Sequence, residues 1–396
     1  MNQRITKKEL DERLMCFCFM MDETHPDWDT AFVISKVNQY YFTGTMQDGL
    51  LIIKRSRNAY YLVRRSFERA KDESPLDIIH RMENYRDAAL FVGPQCGNAY
   101  FETEIITIAI MERLKKHFVI DTINSLDKVV LSLRAVKSPY ELHWTEFSGK
   151  LHDELLTDRV PMLLKEGMSE AEFVASIFNE MVKLGYQGIS RFSMFQTEMV
   201  VGQVGFGESS IYPTCFDGPG GAFGMCPPVP LLGSRERKLK KDDLVFADIA
   251  FGVNGYHSDK TQVYIFGGNP SDEILKAHRG CIDVQSRLRE LLVPGAIPSD
   301  IYNTVMDELS EDFKINFMGF GDRKARFLGH GVGLHIDELP IIANGFKDAL
   351  KAGMVISLEP KKGIAKAGMV GVEDTYVVTP DGGRCVTGGG RDIIIV

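Results

Sequence analysis

Cysteine is scarce in this chain: seven residues in 396, none of them in a CxxC pair. Cys16 and Cys18 are separated by a single residue, the wrong spacing for a zinc ribbon, so neither a thiolate metal site nor a disulfide framework is expected. The thiols read as free groups of a reducing compartment. Excess positive charge is also missing. Lys and Arg number 46 against 54 Asp and Glu, for a net charge of −8, which excludes the basic surface that a nucleic-acid groove needs. No apolar run near the N-terminus is long enough to cross a bilayer. Leu14–Met21 is far too short, and the charged segment before it, MNQRITKKELDERL, has a helical pattern unlike a signal peptide. A cytoplasmic protein with no membrane partner is the expectation. With 44% hydrophobic and 25% charged residues, the composition is that of an ordinary globular chain of more than one domain.

The first third alternates strand-like and helix-like runs. Thr30–Ser35, Gly49–Lys54, Asn58–Val63 and Ala88–Val92 are short apolar runs bounded by turn residues and predict strands, while Ile105–Lys116 has helical periodicity. A boundary at 132/133 is expected, giving an α/β domain over 1–132 and a second domain over 133–396. Ser138 and Pro139 read as the N-cap and first position of a helix running to about Leu164, and a second helix is predicted from Ser169 to Gly185. Residues 202–233 then hold eight glycines and five prolines. They read as one long, turn-rich lid in which Tyr212 and Asp217 are candidates to touch a ligand. Gly202-Gln-Val-Gly205-Phe-Gly207 lacks the strand–turn–helix context of a phosphate loop. Later strands are expected at 245–251, 256–266, 354–359 and 370–378, with helices near 271–292 and 299–310.

The strongest local signal runs from Leu244 to Phe266. Asn254-Gly255 between two apolar runs is a preferred two-residue hairpin turn. If these are the turn residues, Asp248 lies opposite Thr261 and Ala250 opposite Asp259. Both carboxylates then leave one face as diagonal neighbours. Two like charges aimed together from an apolar hairpin are costly unless a cation lies between them. Glu359, in Ser357-Leu-Glu359-Pro360, and Glu373, in Gly371-Val-Glu373-Asp-Thr, likewise interrupt apolar runs, and His330 sits in Gly329-His330-Gly331. Four carboxylates carry a charge of about −4, which two divalent ions neutralise. Oxygen-rich ligation with one imidazole and no thiolate suits manganese, iron, cobalt or zinc.

The order Asp, Asp (eleven residues later), His, Glu, Glu in these contexts resembles the pita-bread metalloenzymes: methionine aminopeptidase, aminopeptidase P, prolidase and creatinase. The Asn38-Gln-Tyr-Tyr-Phe-Thr-Gly44 stretch resembles their creatinase-like N-terminal domain, and Leu133-Arg-Ala-Val-Lys-Ser-Pro139 the opening of their catalytic domain. The resemblance implies an α/β (α+β) architecture, with a creatinase-like N-terminal domain ahead of a pita-bread catalytic domain, and a homodimer. It implies two divalent ions, manganese first among the candidates, held by Asp248, Asp259, His330, Glu359 and Glu373, with Asp259 and Glu373 bridging. It also implies metal-assisted hydrolysis of a C–N bond in a small peptide or other small polar substrate, with Glu359 shuttling the proton to the leaving nitrogen.

The match is uneven. Peptidases of the family place a substrate-binding histidine about seventeen residues before the first Asp ligand. Here that stretch is Pro230-Leu231-Leu232, and no histidine occurs between His152 and His257. A second family histidine, seven residues after the metal ligand, is replaced by Asp337. His335 lies two residues earlier and is the candidate to compensate, so His335 and Asp337 join Glu359 as catalytic candidates. Gln262 and Gly371 stand where the prolidase branch often has arginines. His257 is expected to turn away from the Asp259 face, and Lys361 and Lys362, just past Glu359, read as either charge supporting the ligands or, narrowly preferred, an exposed loop. Two functions follow: an Xaa-Pro-type peptidase with an unusual pocket, or a relative acting on a small non-peptide amide or amidine. A non-catalytic binding protein on the same scaffold ranks third.

Overall fold

The computed structural model describes residues 4–197, 199–389 and 392–396; Met1–Gln3, the start of the N-terminal segment expected to be helical, lie outside them. By its internal contacts the chain divides into two compact units between Arg134 and Ala135. The architecture is mixed helix and strand in both.

The first unit is built on a six-stranded sheet. Its order is Ile79–Arg81, Ala59–Arg65, Asp48–Lys54, Thr30–Val33, Gln95–Phe101 and Val119–Ser125. Phe32, Leu50, Ile52, Leu62 and Phe101 fill its core. The Asn38 stretch is a strut on a short helix: the amide of Asn38 donates to buried Glu102 and accepts from Arg134. One predicted element is wrong. Ala88–Val92 belongs to a helix, Tyr85–Val92, not a strand. Asn84 and Asp87 form a reciprocal capping box at its start, and Ala88 and Ala89 are buried while Leu90 and Phe91 face outward. A five-residue apolar run does not distinguish the two periodicities; the cap does.

In the second unit Ser138 and Glu141 cap the helix Pro139–Glu154, which continues through a π turn and a 3-10 turn to Leu163. The helix Glu170–Leu184 starts from Ser169 and ends on left-handed Gly185. Two sheets carry the centre. One orders Ile394–Ile395, Tyr256–Ile265, Leu244–Val253 and Gly202–Phe206; the other orders Glu338–Ala343, Phe327–Gly331, Val355–Leu358, Asp374–Thr379 and Gly382–Cys385. A separate hairpin pairs Lys361–Ile364 with Gly368–Gly371. The apolar outer faces pack into two cores, one around Phe173, Phe206, Val245 and Phe251, the other around Leu288, Leu328, Ile356 and Leu358.

Two expectations change here. Gly202–Phe206 is not loop but an edge strand on Leu244–Val253. Glycine is required at 202 because a Cβ there would come within 1.9 Å of the Asp248 carbonyl oxygen. The predicted strand 370–378 is two strands that break at Val372–Glu373 and enter different sheets.

Candidate metal centre

The hairpin forms in the expected register. Asn254 and Gly255 both have positive φ, +51° and +95°, Val253 pairs with Tyr256, Asp248 with Thr261 and Ala250 with Asp259. The second sheet brings up the imidazole: His330 pairs with Ser357, and Ser357 with Thr375. The two sheets are stitched together at this point. Thr375 Oγ1 donates to the Asp259 carbonyl (2.9 Å) and accepts from the Asp259 N–H (2.8 Å), and the Thr261 N–H donates to the Glu373 carbonyl (3.1 Å).

The oxygens and imidazole converge. Ligand atoms of Asp259, His330 and Glu373 all lie within 4.8 Å of one another. His330 Nε2 is 3.4 Å from Glu359, 3.7 Å from Glu373 and 3.9 Å from Asp259. Donors about 2.1 Å from a common ion stand roughly 3–3.5 Å apart, so the spacing of this set is that of a slightly expanded shell able to hold a divalent cation. Ser357 Oγ and Thr261 Oγ1 donate to the two oxygens of Glu373, at 2.9 and 3.1 Å, and fix its carboxylate.

The Asp248 side of the cluster is different. Lys361 is fully buried rather than part of an exposed loop. Its ammonium lies 2.6 Å from Glu373, 2.8 Å from Asp248 and 3.0 Å from Glu359. The ring of Phe246 covers it at 5.8 Å. Across the strand pair stands Gly371, where a Cβ would meet the Lys361 Cα at 2.6 Å.

Electrostatics follow from this packing. Burial, reinforced by the neighbouring carboxylates, pushes the carboxyls of Asp248 and Asp259 up. Glu373 goes the other way: burial opposes its charge, but the Lys361 ammonium and His330 hold it well below the usual carboxylate range. His330 is raised despite burial by its contacts with Glu359 and Glu373. A cluster that retains protons in this way binds a cation by releasing them.

The other candidates fall outside this shell. Both Asp337 oxygens are committed: Oδ1 accepts from the Ser193 N–H (2.6 Å), Oδ2 from the Ser193 hydroxyl (2.8 Å) and the Met194 N–H (3.1 Å). Burial raises its carboxyl. His335 is half-buried in the turn after the ligand strand, its N–H donating to Glu338 at 2.8 Å. His257 is buried and turned from the cluster, with Nδ1 2.9 Å from the Gly333 carbonyl and Nε2 3.1 Å from the Gln187 amide. Tyr212 is exposed and stacks edge-on with Phe223. The Phe216–Gly220 backbone, which includes Asp217, is pinned by Arg323 through the carbonyls of Phe216, Gly218 and Gly220.

Sequence reasoning misses Gln203, and of the two readings open for Lys361 the structure has the charge behind the ligands, not the narrowly preferred exposed loop. Gln203 pairs with Asp248 and shares its face. It is 1% exposed, and its amide has no hydrogen-bond partner among the described residues. Ser357, Glu359 and Lys361 converge across a break between two strands: Ser357 and Lys361 both bond to Glu373, and Lys361 reaches Glu359.

Comparison with known proteins agrees with this geometry. Residues 146–380 match metallopeptidase family M24, and residues 21–136 match the creatinase/prolidase N-terminal domain. The chain is 25% identical over 387 residues to an Xaa-Pro dipeptidase of Pyrococcus furiosus, covering 97% of this chain and 100% of that protein. It is 27% identical over 372 residues to an uncharacterised peptidase of Staphylococcus haemolyticus, covering 92% and 95%. The solved prolidase from Pyrococcus furiosus superposes with a TM-score of 0.76 at 25% identity, over 94% of this chain and 100% of that one. A dipeptidase from Mycobacterium ulcerans shares the fold, with a TM-score of 0.79 at 21% identity over the full length of both. The chain belongs to metallopeptidase family M24, a family of metal-dependent hydrolases, and carries the family's creatinase/prolidase N-terminal domain ahead of the catalytic unit.

Proposed function

We propose that this protein is an exopeptidase that hydrolyses the C–N bond of short Xaa-Pro peptides. The observation that carries the reading is the convergence of Asp259, His330 and Glu373 within 4.8 Å of one another, with Glu359 beside them. The full-length similarity to a protein named Xaa-Pro dipeptidase supports the substrate class. Asp259, His330, Glu359 and Glu373 would hold the divalent ion, with manganese our choice of metal. When bound, such an ion supplies Lewis acidity to the scissile carbonyl and lowers the pKa of a water.

The protein's own groups do the rest. Ser357 and Thr261 keep the Glu373 carboxylate oriented, and Thr375 ties the Asp259 backbone to the second sheet. Glu359 carries the proton to the leaving nitrogen. His335 faces the substrate in place of the histidines found in other family members, and Gln203 offers a buried amide to it. Asp337 is a positioning residue that fixes the Ser193–Met194 backbone. A homodimer in the cytoplasm completes the proposal; no helix among the described residues is long and apolar enough to cross a membrane.

One observation favours a second substrate class. Leu231 lies where family peptidases place a substrate-binding histidine, and it is buried. A small non-peptide amide or cyclic amidine would then be the substrate. Assay of Xaa-Pro dipeptides and tripeptides against cyclic amidines, with manganese added, separates the two. Turnover of Xaa-Pro peptides supports the first reading, and turnover of amidines alone replaces it with the second. No turnover of either by metal-loaded protein overturns both.

A further inference from the structure

We infer that the Lys361 ammonium takes the place of one of the two metal ions expected from the carboxylate count, so that the centre holds a single divalent cation. The inference rests on the metal-dependent reading above and narrows it.

Three observations carry it. The first is valence. An ammonium has three N–H donors, and Nζ of Lys361 has three carboxylate acceptors, at 2.6, 2.8 and 3.0 Å, on Glu373, Asp248 and Glu359. No donor is left over, and those three acceptors come from three separate strands or strand ends. The second is space. An ion bonded to the same oxygens of Asp248 and Glu373 would need to lie about 2.0–2.2 Å from each, and the ammonium already stands against both, at 2.8 and 2.6 Å. Phe246 closes one side, while the glycine at 371 is what lets the lysine backbone approach. The third is asymmetry. The donor set of His330, Asp259, Glu359 and Glu373 remains clear of the ammonium on its imidazole side. Glu359 and Glu373 present Oε2 to the ammonium and Oε1 to His330, whereas Asp248 presents Oδ2 to Lys361 and lies outside the Asp259–His330–Glu373 group.

Net charge alone does not decide the count: with Lys361 in place, four carboxylates and one divalent ion leave about one negative charge, and a second ion leaves about one positive charge. Repulsion between neighbours does. A second divalent ion added to the lysine would bring two cations within van der Waals distance of each other in a buried site. Lys361 therefore does not assist the reaction as a proton donor: all three of its protons are committed to holding the carboxylates in place.

The test is to count manganese. Purified full-length protein is stripped of metal, loaded with manganese chloride, separated from free metal by gel filtration and analysed by mass spectrometry. Electron paramagnetic resonance is recorded in parallel to distinguish isolated from exchange-coupled ions. Wild type is expected to retain one ion with no coupling, Lys361→Ala to gain a second, coupled ion, and Lys361→Arg to stay at one. Two coupled ions in wild type overturn the inference whatever the variants do. An unchanged count in a folded Lys361→Ala protein also overturns it. If that variant does not fold, the wild-type count and spectrum decide alone. A wild type that binds no manganese overturns the metal-dependent reading instead. In that case a variant that gains an ion still upholds the blocking role of Lys361, and one that gains none refutes it.

Discussion

Lys361 and Glu373 hold an ammonium and a carboxylate 2.6 Å apart with almost no exposure of either side chain. Such a contact is stabilising only while both partners are present, because a charge left alone in the interior keeps its desolvation penalty without compensation. Lys361→Met is therefore expected to destabilise the metal-free protein by about 3–5 kcal/mol. Manganese should restore much of the loss by occupying the vacated position. Chemical denaturation with and without manganese checks both halves; a variant as stable as wild type without metal contradicts the first.

Asp259→Asn removes a charge from the proposed metal-binding half while leaving the Thr375 stitch, which uses the Asp259 backbone, intact. We expect hydrolysis to fall by at least three orders of magnitude and manganese affinity by ten- to a hundredfold or more, with the circular dichroism spectrum unchanged. An active, metal-replete variant would refute the ligand assignment.

Asp337 separates positioning from binding. Asp337→Asn loses acceptors for Ser193 and Met194, so KM should rise several-fold with kcat changed less, and the effect should be the same for peptides of different charge. His335→Ala should lower kcat/KM in a way that depends on the substrate's side chains. If Asp337→Asn instead selectively abolishes turnover of cationic substrates, Asp337 contacts the substrate.

Much of the site can be read from the sequence. Asn254-Gly255 determines the hairpin and with it the common face of Asp248 and Asp259, since a two-residue turn leaves one register. Glu359 and Glu373 stand out as carboxylates in apolar runs. Lys361 is narrowly misjudged because it follows Pro360 and precedes another lysine, a pairing that favours solvent-exposed loop until its partner strand, Gly368–Gly371, is known. Gln203 escapes because its strand is disguised by glycines that serve close backbone approach rather than turns. The helix Tyr85–Val92 is hidden for a simpler reason: its capping box lies outside the apolar run that suggests a strand.

Two buried histidines make the fold sensitive to acid. Burial pushes His152 down to about 3 and His257 down to about 4, against about 6.5 in the unfolded chain. Both are neutral in both states above pH 6.5, so their contribution is complete there. It is lost as pH falls from 6.5 towards 4, because the unfolded chain takes up protons that the folded one refuses. Each histidine should cost about 1.4 kcal/mol per pH unit in that window. His257→Gln should flatten the slope of stability against pH by that amount relative to wild type, whatever its effect at neutral pH. Equal slopes in the two proteins would show that His257 takes up its proton as readily in the fold as in the unfolded chain.

The most direct measurement is anomalous diffraction at the manganese edge from crystals of the manganese-loaded protein. One peak is expected, within bonding distance of Asp259, His330, Glu359 and Glu373, with the Lys361 ammonium still against Asp248. Strong density at no point among these residues would contradict the metal-dependent reading, and a second peak between Asp248 and Glu373 would contradict the substitution of lysine for an ion.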